Sequence, residues 1–310
     1  MKKLIIGTRG SKLALCQTEI VISELQKNYP KCKFETKIIK TLGDKITDIS
    51  LTKINDKGFF VKEIQEHLIN KKIDIAVHSL KDMPVTLEKT KIAAILERYD
   101  NRDVLVSNKK IKLSKLKSTD IIGTTSIRRK IQIRNLNKNV KICDIRGNVD
   151  NRIKKMISGK CDALLLASAG IKRLGLEKYI VQYLNRDTFL PAPGQGAIAI
   201  ESLKENELLN KFLSKINHQN SYLCTEAERI FMSKIGGGCH MPFGCFAEIN
   251  NSEITVVGMI SSIKNFDIVR KSITGKIEDY KILSEKLANE IMQGKGQKIM
   301  NELKNNSSDQ

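Results

Sequence analysis

The chain alternates short apolar runs with stretches in which apolar residues recur every three to four positions. Such alternation is typical of strands followed by amphipathic helices, and it predicts α/β layers through the first two-thirds of the chain. The predicted strands are 3–8, 34–41, 73–78, 92–96, 104–106, 121–124, 140–145, 163–167 and 198–201, and the predicted helices are 11–26, 58–69, 127–136, 149–158 and 171–182.

The pattern changes from about residue 217. A long helix is predicted at 223–234, and a glycine-rich loop separates it from two apparently antiparallel strands at 245–249 and 253–261. A last helix is predicted at 280–303. This segment therefore indicates a small α+β domain.

The predicted fold class is α/β, with two similar domains of mixed sheet followed by the small α+β domain. A chain of 310 residues is long for one hydrophobic core, and the strand–helix rhythm restarts near residue 121. The predicted domain boundaries are 1–97 with 197–215 for the first domain, 98–196 for the second and 216–310 for the third.

The tetrapeptide Ile-Ile-Gly-Thr occurs twice, at 5–8 and at 121–124, each time before hydroxyl residues, arginine and a predicted helix. Short apolar tetrapeptides recur by coincidence. The other interpretation is that two similar domains each aim a strand-to-helix turn at an anion, since helix N-termini favour negative charge.

Composition excludes several classes of protein. The longest apolar run, 163–171, is far shorter than the roughly 20 residues that cross a bilayer. The N-terminal apolar run, 4–6, is shorter than the roughly 7–15 residues of a signal-peptide core, which favours a cytoplasmic protein without a membrane partner. Seven cysteines without a Cys-x-x-Cys pair favour neither a disulfide framework nor a metal site, and only His240 adjoins a cysteine.

The net charge of +20 raises the question of nucleic-acid binding. Only twelve of the 54 basic residues are arginine, and the lysines are scattered over every segment without a nucleic-acid motif. We therefore predict no nucleic-acid partner.

The planar guanidinium group of arginine can form two parallel hydrogen bonds with a carboxylate or phosphate group, and half of the arginines fall within one stretch of 46 residues. These arginines are 128, 129, 134, 146, 152 and 173.

Two segments carry candidate chemistry beside the arginines. In HSLKDMP (78–84), Lys81 and Asp82 follow a buried strand, where ligands bind in open α/β sheets. The lysine is expected to keep the aspartate ionised, so that the carboxylate can accept a proton or stabilise a developing cation.

In GGGCHMPFG (236–244), Cys239 lies in a tight exposed loop and is a candidate for covalent attachment, although most cysteines are inert core residues.

Nine segments together resemble the porphobilinogen deaminase family, over nearly the whole chain from Ile5 to about Gly258. They are TRGSKLAL, TLGDKITD, KGFFVKEI, DIAVHSLKDMP, GTTSIRRK, DIRGNVDNR, AGIKRLGL, LPAPGQGA and GGGCHMPFG.

The resemblance implies a transferase of tetrapyrrole (heme) biosynthesis, hydroxymethylbilane synthase, which joins four porphobilinogen molecules head to tail with loss of ammonia. It implies one covalent dipyrromethane cofactor per chain, held by a thioether on Cys239, and a catalytic role for Asp82. The implied cofactor-binding residues are Cys239, Lys81, Asp82, Thr125, Ser126, Arg128, Arg129, Arg146 and Gly147, and the implied substrate-binding residues are Arg9, Ser11, Lys57, Arg146, Arg152, Arg173 and Gln195.

The resemblance also implies a fold and an assembly. The first two domains are expected to resemble type II periplasmic binding proteins, and the protein is expected to be a monomer. The two Ile-Ile-Gly-Thr turns are then expected to face each other across one anion-binding cleft. The alternative function is a non-enzymatic anion-binding protein of the periplasmic-binding type, which would need export and would have no use for Cys239.

Overall fold

The computed structural model describes residues 3–45, 61–236 and 241–308. These residues form two β-sheets of five strands and one of three. The chain divides into two compact units, Met1–Tyr99 with Gly196–Tyr222 and Asp100–Gln195 with Leu223–Gln310. The three-domain boundaries stay a prediction, which the presence of one sheet in each predicted domain supports.

The first unit is built on a mixed sheet. Its strands are β1 (Lys3–Thr8), β2 (Lys33–Ile38), β3 (Ile75–Ser79), β4 (Thr90–Ile95) and β10 (Ile198–Leu203), and its helices include α1 (Lys12–Asn28), α2 (Leu42–Lys45), α3 (Lys62–Ile69) and α7 (Glu207–Leu213). The strand order is β2-β1-β3-β10-β4. β1 runs parallel to β2 and β3, whereas β10 runs antiparallel to β3 and β4.

Alternating apolar residues of the central strands form the core of this unit. Leu4 and Ile6 of β1 and Ile75 of β3 pack in one cluster with Val21 and Leu25 of α1, and none of the five has exposed surface. Burying one such side chain contributes roughly 1.5–3 kcal/mol. This packing holds α1 against the sheet and therefore determines the position of its N-terminus relative to the strands.

The second unit contains another mixed five-stranded sheet. Its strands are β5 (Asp103–Val106), β6 (Ile121–Gly123), β7 (Lys141–Cys143), β8 (Ala163–Ala167) and β9 (Ile180–Tyr183), and its helices include α4 (Ile127–Leu136), α5 (Val149–Ile157) and α6 (Ser168–Arg173). The strand order is β7-β6-β8-β5-β9. β6 runs parallel to β7 and β8, and β5 runs antiparallel to β8 and β9.

The two sheets have the same arrangement of strands. In each, three parallel strands are followed by one strand that runs antiparallel to both of its neighbours. β1 and β6 occupy the same place, and they carry the two copies of Ile-Ile-Gly. The predicted pair of similar α/β domains with mixed sheets is confirmed, and the two copies of the tetrapeptide lie at equivalent places in them.

The second unit also contains the small α+β part of the chain. Its strands β11 (Phe243–Asn250), β12 (Glu253–Ser261) and β13 (Ile268–Lys276) form an antiparallel sheet, accompanied by α8 (Gln219–Ile235), α9 (Tyr280–Ile291) and α10 (Lys295–Ser308). Phe231 of α8 lies against Gly258 of β12, where a Cβ atom would come within 2.4 Å of the phenyl ring. Glycine at this position therefore lets the helix approach the sheet.

The prediction of one helix over 171–182 is wrong. The helix α6 ends at Arg173, and Gly175 has a φ of 64°, a left-handed conformation that ends helices. The β-branched residues Ile180 and Val181 then enter the edge strand β9, which pairs with β5.

The prediction of one final helix over 280–303 is also wrong, because the chain breaks into α9 and α10 at Gly294, whose φ is 55°. Three elements are missing from the sequence prediction: the one-turn helix α2, the helix α7 and the strand β13. β13 is an edge strand with mostly exposed or half-buried residues, and α7 places Leu208 in solvent at 85% exposure, so neither shows a clear apolar period. In the described part of the chain, the other predicted elements are present, with ends that shift by a few residues. Residues 58–60 of the predicted helix 58–69 lie outside the described residues.

The first sheet contains a buried carboxylate, that of Glu201 on β10, which has no exposed surface. It accepts hydrogen bonds from Gln65 Nε2 at 2.6 Å and Thr90 Oγ1 at 2.5 Å. Nε2 of His78 lies 2.9 Å from Oε2 of Glu201, a close contact in which an N–H bond would not be aligned with that oxygen. Burial alone would raise the pKa of Glu201, but His78, Thr90 and Gln65 outweigh it and lower the pKa below 4.5.

Replacing Glu201 by Gln is expected to lower the free energy of unfolding at pH 7 by about 1–3 kcal/mol, because the amide cannot accept all of these bonds. Since the native pKa is lowered, the contribution of the carboxylate is present above the ordinary pKa of 4.5 and is lost as the pH falls through the native value. The difference between wild type and variant in urea unfolding should therefore shrink below about pH 4.

Glu205→Gln is the matched control in the same unit. The Glu205 side chain is 70% exposed and lies 3.3 Å from the Lys71 ammonium group, so its loss should change stability by about 0.5 kcal/mol or less. Equal stability of the two variants at pH 7 would contradict the structural role of Glu201.

Candidate functional site

The described residues place the candidate site residues in two groups, one in each unit. The first unit contains Arg9, Ser11, Lys81 and Asp82, and the second contains Thr125, Ser126, Arg128, Arg129, Arg146, Gly147, Arg152, Arg173 and Gln195. Cys239 and Lys57 lie outside the described residues.

In the first unit, Lys81 and Asp82 lie in a single 3₁₀ turn, Leu80–Asp82, directly after β3. The apolar residues on either side, Leu80 and Met83, are 1% and 0% exposed and anchor the turn in the core. Lys81 and Asp82 themselves are half-buried. The turn therefore presents a cation and a carboxylate at the carboxyl end of a sheet strand, the usual ligand-binding edge of such sheets.

Arg9 and Ser11 lie at the same edge, in the turn between β1 and α1. Ser11 is the N-cap of α1, and its hydroxyl accepts a hydrogen bond from Ala14 N at 3.2 Å. Gln17 of α1 donates from Nε2 to the Ser79 hydroxyl at 2.9 Å, and so ties the helix to the end of β3. Because β1 and β3 are parallel neighbours, the structure brings these two turns together.

In the second unit, Thr125 and Ser126 occupy the turn between β6 and α4. Ser126 is the N-cap of α4 and accepts a long hydrogen bond, 3.5 Å, from Arg129 N. Both residues are half-buried. The helix N-terminus and the two hydroxyls form a turn that suits an anion, and it corresponds to the turn before α1 in the first unit.

Arg128 and Arg129 lie in the first turn of α4, and both are buried, with exposures of 5% and 6%. Both bind Asp103 at the start of β5, which has no exposed surface. Arg128 Nη1 lies 2.7 Å from Oδ2 of Asp103, and Arg129 Nε and Nη2 lie 3.0 Å and 2.6 Å from Oδ1. One carboxylate is therefore shared by two guanidinium groups.

Burial alone would raise the pKa of Asp103, but the charges of Arg128 and Arg129 and their hydrogen bonds lower it to about 2. Burial lowers the pKa of Arg128, although a guanidinium group stays protonated at neutral pH. Asp103 is a residue that sequence reasoning missed. An acidic residue at the head of the apolar run DVLV was the available signal, because a buried charge needs a partner.

Gln195 belongs to the same cluster. It is 1% exposed, and its Nε2 donates to the Asn101 carbonyl at 2.7 Å and to Oδ1 of Asp103 at 3.1 Å. In the same loop, the Leu190 carbonyl accepts from Arg128 Nη1 at 2.5 Å and from Gln132 Nε2 at 3.0 Å. The loop LPAPGQGA is thereby attached to α4 and β5.

Glu228 of α8 binds the same loop from the other side. Its carboxylate has no exposed surface and accepts from Gly194 N at 2.7 Å and from Ala247 N of β11 at 2.8 Å. A buried carboxylate needs hydrogen-bond donors, and these two backbone N–H groups supply them. The small three-stranded sheet is therefore hydrogen-bonded to the segment that carries Gln195.

Arg146 and Gly147 follow β7, and Arg173 ends the helix that follows β8. Gly147 has a φ of 110°, and its carbonyl accepts from Arg152 Nε at 2.6 Å. The arginines are half-buried. Because β6, β7 and β8 are parallel, these residues and the Thr125 turn lie at one edge of the second sheet. The structure thus brings together the second group of predicted residues.

Within the described ranges 3–45, 61–236 and 241–308, no cluster of three or more His, Cys, Asp or Glu side chains is arranged to hold a metal ion. The helices in those ranges include none that is long and apolar enough to cross a membrane.

Two family models match the chain. The first, "Porphobilinogen deaminase, dipyromethane cofactor binding domain", matches residues 4–211, and the second, "Porphobilinogen deaminase, C-terminal domain", matches residues 222–293. Together they cover both groups of site residues and the segment that contains Cys239.

Curated relatives carry the same name. Porphobilinogen deaminase of Syntrophomonas wolfei is 47% identical over 264 residues, which cover 85% of this chain and 86% of that protein. Porphobilinogen deaminase of Clostridium novyi is 44% identical over 295 residues, which cover 94% and 98%.

Solved structures that match include the methionine binding protein MetQ, at 12% identity and a TM-score of 0.45, covering 71% of this chain and 92% of that one. The Bordetella pertussis BvgS VFT2 domain (double mutant) matches at 14% identity and a TM-score of 0.42, covering 73% and 89%. Scores this low add nothing to the description of the fold.

The family models and the relatives carry one family name over most of the chain. The chain belongs to the porphobilinogen deaminase family, whose members are transferases of tetrapyrrole biosynthesis with a dipyrromethane cofactor and hydroxymethylbilane synthase activity.

Proposed function

We propose that the residues described above carry out the family reaction, the stepwise head-to-tail joining of four porphobilinogen molecules and the hydrolytic release of hydroxymethylbilane. One observation supports this most directly. In the second unit, hydroxyls, arginines and the N-terminus of α4 are gathered at one sheet edge, where they suit a ligand rich in carboxylates.

These residues fit the dipyrromethane cofactor. Each pyrrole ring bears an acetate and a propionate, so the growing chain gains about two negative charges with every ring. Thr125, Ser126, Arg128 and Arg146 would bind those carboxylates, and Cys239 would hold the cofactor through sulfur. When bound, the dipyrromethane supplies the pyrrole carbon to which the first substrate unit is joined.

Asp82 is proposed as the catalytic group. Its carboxylate would accept a hydrogen bond from the pyrrole N–H of porphobilinogen and stabilise the cation that remains when ammonia leaves. The Leu80 and Met83 anchors fix the turn, so that the carboxylate is oriented before the substrate binds. Lys81 adds a cationic hydrogen-bond donor for a substrate carboxylate.

The remaining assignments follow the same chemistry. Arg9, Ser11, Arg152, Arg173 and Gln195 are proposed substrate-binding residues, Lys57 a residue that covers the site, and Gly147 a turn residue beside the cofactor. The non-enzymatic alternative is not favoured, because the relatives carry an enzyme name. A cytoplasmic monomer is proposed, and the free thiols of the six described cysteines suit a reducing compartment.

The intact mass of the purified wild-type chain is expected to exceed the polypeptide mass by two linked pyrrole units. Cys239→Ser is expected to remove this excess, because serine cannot form the thioether. Cys16→Ser, a change of the same kind at a half-buried position of α1, should keep it. A bare wild-type chain with full activity, or an undiminished excess in Cys239→Ser, would contradict the attachment.

Asp82→Asn is expected to reduce product formation by at least about 100-fold, because the amide carries no charge and no exchangeable proton of suitable pKa. The thermal unfolding midpoint should hardly change, since Asp82 is half-buried and the turn is held by its apolar neighbours. Glu88→Gln, at an exposed position of the same unit, is the control and should keep normal rates. Near-normal turnover of Asp82→Asn would remove this residue from catalysis.

A further inference from the structure

We propose that Asp100 is a positioning residue for substrate binding, because it holds the helix α6 at two points and so sets the direction of Arg173, the last residue of that helix. The inference rests on the proposed function, in which Arg173 binds a carboxylate of the substrate. Asp100 acts through α6 and not through contact with the substrate.

The carboxylate of Asp100 is held by Arg102, the residue directly before β5. Arg102 donates from Nε to Oδ1 at 2.9 Å and from Nη2 to Oδ2 at 2.8 Å, and its backbone N–H donates to Oδ1 at 3.1 Å. The guanidinium group also lies over the ring of Tyr183 in β9, 4.4 Å from the centroid. Both oxygens of Asp100 are thus oriented by residues attached to the second sheet.

The first residue of α6, Ser168, binds this segment twice. Its hydroxyl donates to Oδ2 of Asp100 at 3.2 Å, and its backbone N–H donates to the Arg102 carbonyl at 3.0 Å. Ser168 has no exposed surface, so water cannot replace these bonds. The start of α6 is therefore fixed to Asp100 and Arg102.

A second contact lies one turn further along the helix. Lys172 places Nζ 3.5 Å from Oδ2 of Asp100, and the same ammonium group lies 5.3 Å from the centroid of the Tyr183 ring. Ser168 and Lys172 are four residues apart and share one face of the helix. Two contacts on one face define the rotation of a helix about its axis as well as its position.

The rotation of α6 matters because the helix is short. It has six residues, whereas isolated helices below about 12–15 residues are marginal in water, so its place depends on tertiary contacts. Ile171 supplies an apolar contact to the core, and Asp100 supplies the polar ones. Arg173 follows Lys172, and successive residues of an α-helix are rotated by about 100°, so the anchored face determines where the Arg173 side chain leaves the helix.

The charge of Asp100 suits this role. Its side chain is 14% exposed, and burial alone would raise its pKa, but the hydrogen bonds and charge of Arg102 and the hydrogen bond from Ser168 lower the pKa to about 2. The carboxylate is therefore ionised at neutral pH and is a permanent anion for Lys172. An uncharged side chain of the same size would keep the volume and lose this attraction.

The test is a double-mutant cycle between Asp100→Asn and Arg173→Lys, measured as kcat/KM for porphobilinogen on folded chains whose cofactor loading is checked by intact mass. Arg173→Lys keeps the charge but removes the planar guanidinium group, and it is expected to lower kcat/KM by about tenfold. Asp100→Asn is expected to lower kcat/KM by about threefold or more, because the polar anchor of α6 is weakened.

The double variant gives the decisive number. Its kcat/KM should lie within about twofold of that of Arg173→Lys alone, because misplacing a guanidinium group that is already absent costs nothing further. Two independent contributions would instead multiply.

Asp162→Asn is the matched control in the same unit. The Asp162 side chain is 18% exposed, pairs with Lys109 and accepts from Ile121 N at 2.8 Å, so this variant also breaks a partly buried lysine–carboxylate pair. Asp162 lies directly before β8, at the edge of the sheet opposite to the strand ends that carry the site residues. Its unfolding midpoint should fall as in Asp100→Asn, while kcat/KM stays at the wild-type value.

Several results would overturn the proposal. These are losses that multiply in the double variant, normal kcat/KM in Asp100→Asn or in Arg173→Lys, or a loss in Asp162→Asn equal to that in Asp100→Asn. If Asp100→Asn does not fold, Lys172→Met removes the same ion pair from the side of α6 and takes its place in the cycle with the same expectations.

Failure of this inference can be told apart from failure of the proposed function. A wild-type chain that consumes no porphobilinogen would contradict the function itself. An active wild type in which the effects of the two substitutions multiply would contradict only the positioning role of Asp100.

Discussion

The second unit depends on one ionic interaction, the carboxylate of Asp103 shared between the guanidinium groups of Arg128 and Arg129. A buried carboxylate without partners would be strongly destabilising, so the two arginines must be present for β5 to lie where it does. In return, the carboxylate fixes both side chains, and Gln195 and Leu190 bind the same cluster from the loop that leads to β10. Three segments that are distant in the sequence, β5, α4 and this loop, therefore meet at one charged group.

The same strand-to-helix turn occurs twice in the chain. β1 and β6 hold the same place in two sheets of equal strand order, and each leads into a helix whose N-terminus is capped by serine. A helix N-terminus offers free N–H groups and a partial positive charge without any basic side chain. The surrounding residues then differ, with a carboxylate turn in the first unit and arginines in the second.

Much of this could be predicted from the sequence. Strands and helices with a strong apolar period, such as 163–167 and 127–136, have the predicted bounds, whereas β13 and α7 have mixed faces and give no periodic signal. Sequence motifs also identified the turns that carry Asp82, Ser126 and Arg146. The direction of the arginine side chains was not predictable, because it depends on Asp103, which lies 25 residues from Arg128 along the chain. Adjacent residues of one sequence motif can therefore have different partners.

The position of β10 has a consequence for biosynthesis. This strand lies between β3 and β4, although the whole second sheet, with all strands from β5 to β9, is encoded before it. Because chains emerge from the ribosome N-terminus first, the second sheet has all its strands at residue 183, while the first still lacks its inner antiparallel strand until residue 203. Of the two five-stranded sheets, the one whose translation begins first is thus completed last, and its unpaired β3 and β4 edges must stay protected from other nascent chains during that interval.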